Sequence, residues 1–355
     1  MQSDNILAFL SLIRLGIGHQ ANFDAVYDWA SIKELADKHE LSAVVLDGIE
    51  ILPERIRPSQ KITLQWIGEV MKYYEARYTI YKNTIGNMAG WYQNHGFRMM
   101  VLKGFACSLD WPKPNHRPCG DIDIWQFGAW KEADKTLSER GIVIDNSHHH
   151  HTVFYWNGFM VENHYDFVNI HHSKSNAQLE HVFKELGADD SYYVDVLGNK
   201  VYLPSPNLHA LFLLRHTMIE FAATGIKLRQ LLDWAFFSAK HGKEIDWKWL
   251  EGILEKFGMM KLYSVFNAIC VMDLGFDNKY LNRVQSDLLL KDRVLRDILS
   301  PEFGEEMPSG LFKRLVWKCK RYRENEWKRQ LICDENRMCA FWRGVWNHLL
   351  KPSSI

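Results

Sequence analysis

The spacing of apolar positions changes twice along the chain. Up to about residue 96, apolar side chains recur every three or four residues, the period of an amphipathic helix. Phe23, Trp29, Ile32 and Leu35 predict one such helix, and residues 62–95 predict a longer one. The second stops at Asn94-His95-Gly96, where a glycine suits the position just past a helix end.

After Gly96 the texture becomes strand-like. Residues 98–102 are a short, mostly apolar run, the profile of a strand buried on both faces. Lys103 and Gly104 follow, and Phe105 to Leu109 read as a helix start. Asp121-Ile122-Asp123-Ile124-Trp125 alternates with period two, so a strand there places Asp121 and Asp123 on one face and turns Ile122 and Ile124 to the core. A helix is expected over 130–139. Two β-prone runs, 153–156 and 159–165, flank Asn157-Gly158, the strongest short hairpin signal. Beyond Pro204-Ser205-Pro206 the helical period returns, with Ser205 or Asn207 as candidate caps, and Pro-bearing residues 301–308 read as a linker. The pattern predicts an α+β protein: a helical region over 1–96, a small α/β core over 97–203, a helical region over 204–300 and a helical extension over 301–355.

Composition narrows this picture only a little. The 355 residues carry 43 Lys plus Arg against 43 Asp plus Glu, so no global field draws a polyanion. Six scattered cysteines with no CxxC pair read as reduced thiols. The apolar stretch 6–13 lacks a preceding basic region and a cleavage site, which makes a poor secretion signal. No run approaches the ~20 apolar residues of a membrane span. A cytoplasmic protein is expected.

Asp121 and Asp123 carry the main chemistry. Two carboxylates at i and i+2 on a strand lie side by side. Hard oxygen ligands of this kind suit Mg²⁺, which takes one or two carboxylates plus substrate phosphates. With a third carboxylate from a neighbouring strand they could clamp the attacking and leaving oxygens of an in-line displacement. Gly104 at a strand end lets backbone approach a ligand, and a following helix would aim free N–H groups at a phosphate.

Leu102-Lys103-Gly104, Arg117, Asp121-Ile122-Asp123 and Val161-Glu162-Asn163-His164 together resemble the poorly characterised bacterial nucleotidyltransferases of the DNA polymerase beta superfamily. The resemblance runs over about residues 20–275, from Trp29-Ala30-Ser31-Ile32 to Leu228-Arg229-Gln230-Leu231-Leu232-Asp233-Trp234. It implies a small mixed-sheet core and transfer of NMP from an NTP to an acceptor hydroxyl or phosphate. It also implies Mg²⁺, with Mn²⁺ as a substitute, on Asp121, Asp123 and Glu162. The wider superfamily places Gly-Ser or Gly-Gly where this chain has Gly104-Phe105. The triphosphate contact is therefore missing or passes to Ser108, with Lys103 as a phosphate cation. Arg117 would grip phosphate with its fork. Asp166 rivals Glu162 as third carboxylate, because 162, 164 and 166 alternate onto one strand face, and His164 would be a neighbouring partner or proton carrier.

Other features are expected to be structural. Consecutive strand residues point to opposite faces, so His148 to His151 cannot all converge on one tetrahedral ion; they and His171-His172 are read as structural or substrate-side. Arg229 and Asp233, four apart on a helix, would pair, and His209 and His216 would line core or cleft. Residues 312–323 are basic with interleaved aromatics, the best nucleic-acid candidate, yet Leu315, Val316, Cys319 and Tyr322 fit a helix with one solvated basic face. Nucleic acid is possible but not favoured as a partner, and no membrane is expected. Binding of nucleotide or a partner protein without turnover is the competing function, and RNA-binding regulation the third.

Overall fold

The computed structural model describes residues 2–23, 27–170, 174–281, 284, 287–304 and 307–332. His171 and His172, Cys333 and Cys339, and residues 333–355 of the predicted C-terminal extension lie outside the described residues. Helix α1 (Gln2–Gly16) is followed by α2 (Trp29–Lys38), α3 (Ser42–Ile51), α4 (Gln60–Val70) and α5 (Arg77–Asn94). The helix expected from Phe23 begins only at Trp29, where the Asp28 carboxylate accepts from the Ala30 amide at 3.1 Å and caps the first turn. The long helix expected over 62–95 is present as α4 and α5, joined by wider turns over Met71–Ala76.

Six strands form one sheet: β1 (Met100–Val101), β2 (Ile122–Trp125), β3 (His151–Trp156), β4 (Phe159–His164), β5 (Tyr193–Val196) and β6 (Asn199–Tyr202). Their order is β3-β4-β2-β1-β6-β5. β2 runs parallel to β4 and β1 parallel to β6, and the other pairs are antiparallel. The sheet is therefore mixed and the fold is α+β. The β3–β4 hairpin turns on Asn157 (φ 49°) and Gly158 (φ 79°), the two positive-φ residues that a type I′ turn requires. The β5–β6 hairpin had no sequence signal of this kind, because Leu197 (φ 57°) stands where Asn or Asp is usual.

The two sheet faces are buried against different helices. Val101, Ile122, Ile124 and Val161 pack with Tyr81, Ile85 and Met88 of α5 and with Ala133 and Leu137 of α7 (Trp130–Glu139). Met100, Leu102, Trp125 and Tyr202 belong to a larger core. That core also holds α9 (Pro206–Ala223), α10 (Leu228–His241), α11 (Trp247–Lys256), α12 (Met260–Ala268) and the helices α1 to α3. Between β4 and β5 lies α8 (Lys174–Leu186). Since Ile122 and Ile124 point to α5 and α7, alternation turns Asp121 and Asp123 toward the α9–α10 side.

α13 (Leu288–Leu299) starts on Asp287, whose carboxylate accepts from the Leu289 and Leu290 amides. The basic segment is helical as α14 (Leu311–Glu324), followed by α15 (Glu326–Arg329). Within α14, Val316 is 55% exposed, Cys319 is exposed and Tyr322 is half-buried. No helix among the described residues is long and apolar enough to cross a membrane.

Candidate active site

β1 ends at Val101, and the chain turns at Gly104 with φ 61°. A side chain there would be strained in that backbone region and would meet the Tyr81 hydroxyl, 2.5 Å from an ideal Cβ. The Tyr81 hydroxyl donates to the Asp121 carbonyl at 2.8 Å, which ties α5 to the start of the carboxylate strand. The helix after Gly104, α6 (Phe105–Ser108), is a single turn. It lacks the aligned peptide dipoles expected to meet a phosphate.

Parallel pairing of β2 and β4 sets Asp123 opposite Glu162 and Trp125 opposite His164. Asp123, Glu162 and His164 thereby form one cluster, with a donor atom of each within 4.8 Å of the others. His164 Nε2 lies 3.2 Å from Asp123 Oδ1 and 3.6 Å from Glu162 Oε2. The Lys103 ammonium lies 3.1 Å from Asp123 Oδ1 and 3.1 Å from His216 Nε2. Asp123 Oδ2 is buried with no hydrogen-bond partner. An orphaned carboxylate oxygen beside a second carboxylate is a donor arrangement that fits a divalent cation.

Electrostatics follow from this crowding. Burial pushes the Asp123 carboxyl up, but the ammonium of Lys103 and the imidazole of His164 outweigh it and hold Asp123 well below the usual carboxylate range. Asp121 is raised by burial and by the neighbouring Asp123 charge. His164 would be depressed by burial, yet its bonds to Asp123 and Glu162 lift it to about 9. Its other nitrogen, Nδ1, donates to the Asp166 carbonyl at 3.2 Å, since a carbonyl can only accept.

A cleft of about 260 Å³ opens beside the cluster. Lys103, Gly104 and Asp121 form its floor, His216 and Glu220 of α9 and Arg229 of α10 its wall. Glu220 is drawn down to about 2: burial raises it, but His216 and Lys103 win. Glu40 reaches in from beyond α2 and pairs with Arg229 at 2.9 Å. Neither Glu40 nor Glu220 carried a sequence signal.

Three residues predicted at the site have partners within the chain, and one of them, Arg117, also lines the cleft. Ser108 is 2% exposed, and its hydroxyl donates to the Phe105 carbonyl at 2.6 Å and meets the Tyr78 hydroxyl at 3.2 Å. It faces the packed side of α6 and does not line the cleft. The Arg117 fork, expected on phosphate, is engaged by Asp233: Nε and Nη2 donate to its two oxygens at 2.8 and 3.0 Å. Asp233 also accepts from Trp111 Nε1 at 2.8 Å, so the expected Arg229–Asp233 pair survives only as a 3.5 Å contact. Asp166 lies past the end of β4, and its carboxylate pairs with Lys184 at 2.5 Å, not with Asp123.

The chain is thus an α+β protein whose mixed sheet carries a paired carboxylate strand beside a cleft. Residues 26–271 match the sequence profile of a family described as uncharacterised nucleotidyltransferase, and the chain belongs to that family. No curated protein matches it. A solved relative, an antigenic nucleotidyltransferase-like protein from Paracoccidioides brasiliensis, is 14% identical with a TM-score of 0.35, covering 55% of this chain and 92% of that one. A likeness of that degree says nothing of substrate or activity.

Proposed function

We propose that this chain moves NMP from an NTP to an acceptor hydroxyl or phosphate, releasing pyrophosphate, as a member of the DNA polymerase beta superfamily. The observation that carries the reading is the register of β2 on β4, which sets Asp123 against Glu162. Asp121, Asp123 and Glu162 would hold Mg²⁺, or Mn²⁺ in its place. The bound cation would neutralise triphosphate oxygens and position the reacting groups.

The residues of the chain supply the rest. Lys103, held between Asp123 and His216, offers a second positive charge at the cleft floor. His164 keeps Asp123 ionised and oriented. Glu220, His216 and Arg229 lie on the wall where an acceptor would enter. Neutral net charge favours a small molecule, a sugar or a protein side chain over a long RNA as acceptor. The free thiols of Cys107, Cys119, Cys270 and Cys319 agree with a reducing, cytoplasmic setting.

Anomalous scattering from crystals soaked with Mn²⁺ and a non-hydrolysable NTP tests the site. The reading expects nucleotide-dependent metal density bounded by Asp121, Asp123 and Glu162. Density elsewhere, or a triphosphate remote from Lys103, overturns it. A second reading, nucleotide binding without turnover, rests on one observation: the Lys103 ammonium already neutralises Asp123. It predicts NTP binding with no pyrophosphate release.

A further inference from the structure

Three imidazoles from two segments converge at the outer edge of the carboxylate cluster. His151 opens β3 and stands opposite His164 across the antiparallel ladder, so the two rings share a face. His150 precedes the strand in a bend, and that bend is pinned. Its carbonyl accepts from the Tyr165 and Asp166 amides at 3.0 and 3.1 Å, and the Tyr165 hydroxyl donates to the His148 carbonyl at 3.0 Å. Because His150 is outside the strand, the rule that neighbours point apart does not bind it. Its ring centroid lies 4.4 Å from that of His151 and 5.5 Å from that of His164. One ring nitrogen of each histidine falls within 4.8 Å of the others. Two of the four consecutive histidines thus meet at one point, and not all four, as strand alternation expects.

The donors are set for a ligand the chain does not supply. Nδ1 of His150 and Nδ1 of His151 are buried without a hydrogen-bond partner, and His151 is 7% exposed. A buried polar atom is costly to leave unmet, so these two nitrogens favour an outside partner. Glu162 Oε2 borders two of these imidazoles, 3.8 Å from His151 Nδ1 and 3.6 Å from His164 Nε2. Donors of a tetrahedral zinc with bonds of about 2.0–2.1 Å stand about 3.3–3.4 Å apart, so ring nitrogens within 4.8 Å of one another would draw together slightly around an ion. The bond from His164 Nδ1 to the Asp166 carbonyl is the outer-sphere tether that metal-bound histidines use to fix tautomer and orientation.

We propose that His150, His151 and His164 form a site for a transition-type divalent cation of the zinc class. Its imidazole donors distinguish it from the oxygen set at Asp121 and Asp123, because nitrogen ligands favour zinc, cobalt or nickel while carboxylates suit magnesium. The site stands or falls separately from nucleotidyl transfer, since it is tested with no nucleotide present.

The test is a titration of tag-free, chelator-stripped full-length protein with Co²⁺ and with Zn²⁺, in excess Mg²⁺. The expected result is visible Co²⁺ absorption of four-coordinate strength, saturating at one equivalent and displaced by Zn²⁺. His150→Ala and His151→Ala each lower Zn²⁺ affinity by at least about 10-fold, with thermal melts of the metal-free proteins confirming their fold, while Asp121→Asn leaves the isotherm in place. Weak, octahedral-type Co²⁺ absorption in the wild-type protein overturns the proposal without any variant. So does Zn²⁺ binding that is abolished by Mg²⁺ or unchanged in both histidine variants.

Discussion

Arg117 is held as a structural cation, and its removal tests that directly. The guanidinium is 4% exposed, and Asp233, also 4% exposed, accepts from it through both oxygens. Replacing Arg117 with Met leaves a buried carboxylate facing only Trp111 Nε1 and the distant Arg229. Removing one partner of a buried pair costs about 3–5 kcal/mol. With an unfolding entropy of about 2.1 cal/mol/K per residue, a chain of 355 residues should lose about 4–7 °C in melting midpoint. Asp233→Leu alone should cost as much. Arg117→Met combined with Asp233→Leu should cost clearly less than the sum, because neither charge is then stranded. It should not return to wild type, since the Trp111 N–H stays unmet at about 1–3 kcal/mol. The assay is thermal unfolding of the four proteins by circular dichroism, alongside NTP affinity. A midpoint shift under about 2 °C for Arg117→Met, together with a large loss of NTP binding, would refute the structural assignment and return Arg117 to the phosphate.

Further outcomes rest on the same geometry. Lys103→Met should lower pyrophosphate release by about 10²–10³-fold; release within tenfold of wild type would remove Lys103 from the site. Glu162→Gln should suppress release, whereas Asp166→Asn should spare it, because Asp166 is paired with Lys184; the reverse pattern in an activity assay would exchange their roles. Gly158→Val, placed at φ 79°, should destabilise the β3–β4 hairpin by about 1–2 kcal/mol, read as a lowered melting midpoint. His39 is 1% exposed, and burial, aided by the charges of Lys38 and Lys227, lowers it to about 4. The unfolded chain therefore binds a proton that the folded one refuses between pH 6.5 and 4, so His39 costs the folded state stability as pH falls through that window. That amounts to about 2 kcal/mol between about pH 7.5 and 5, and His39→Gln should flatten this part of the pH profile; an unchanged slope would contradict it.

What the sequence revealed depended on whether local rules decided the outcome. Asn157-Gly158 was readable because only residues tolerant of positive φ make that turn, while Leu197-Gly198 broke the rule and hid the second hairpin. Alternation assigned Ile122 and Ile124 to the core and the aspartates to the opposite face. The same alternation, extended to Asp166, overran the strand, which ends at His164. Spacing brought Ser108 and Arg117 to the right neighbourhood but could not give their direction; that was set by Phe105 and by Asp233, which lies 116 residues after Arg117. Convergence of His150 with His151 was invisible for a related reason, since it depends on where β3 begins. Glu40 and Glu220 reach the cleft only through helix packing, which no local motif records.

The central claim is transfer through the Asp121–Asp123 site, and release of pyrophosphate from each of the four NTPs measures it most directly. Transfer at that site predicts release with at least one NTP that requires Mg²⁺ or Mn²⁺ and is lost in Asp123→Asn, while the variant keeps its fold. Release that persists in Asp123→Asn, or none from any NTP across a panel of small-molecule, sugar and protein acceptors, would contradict it.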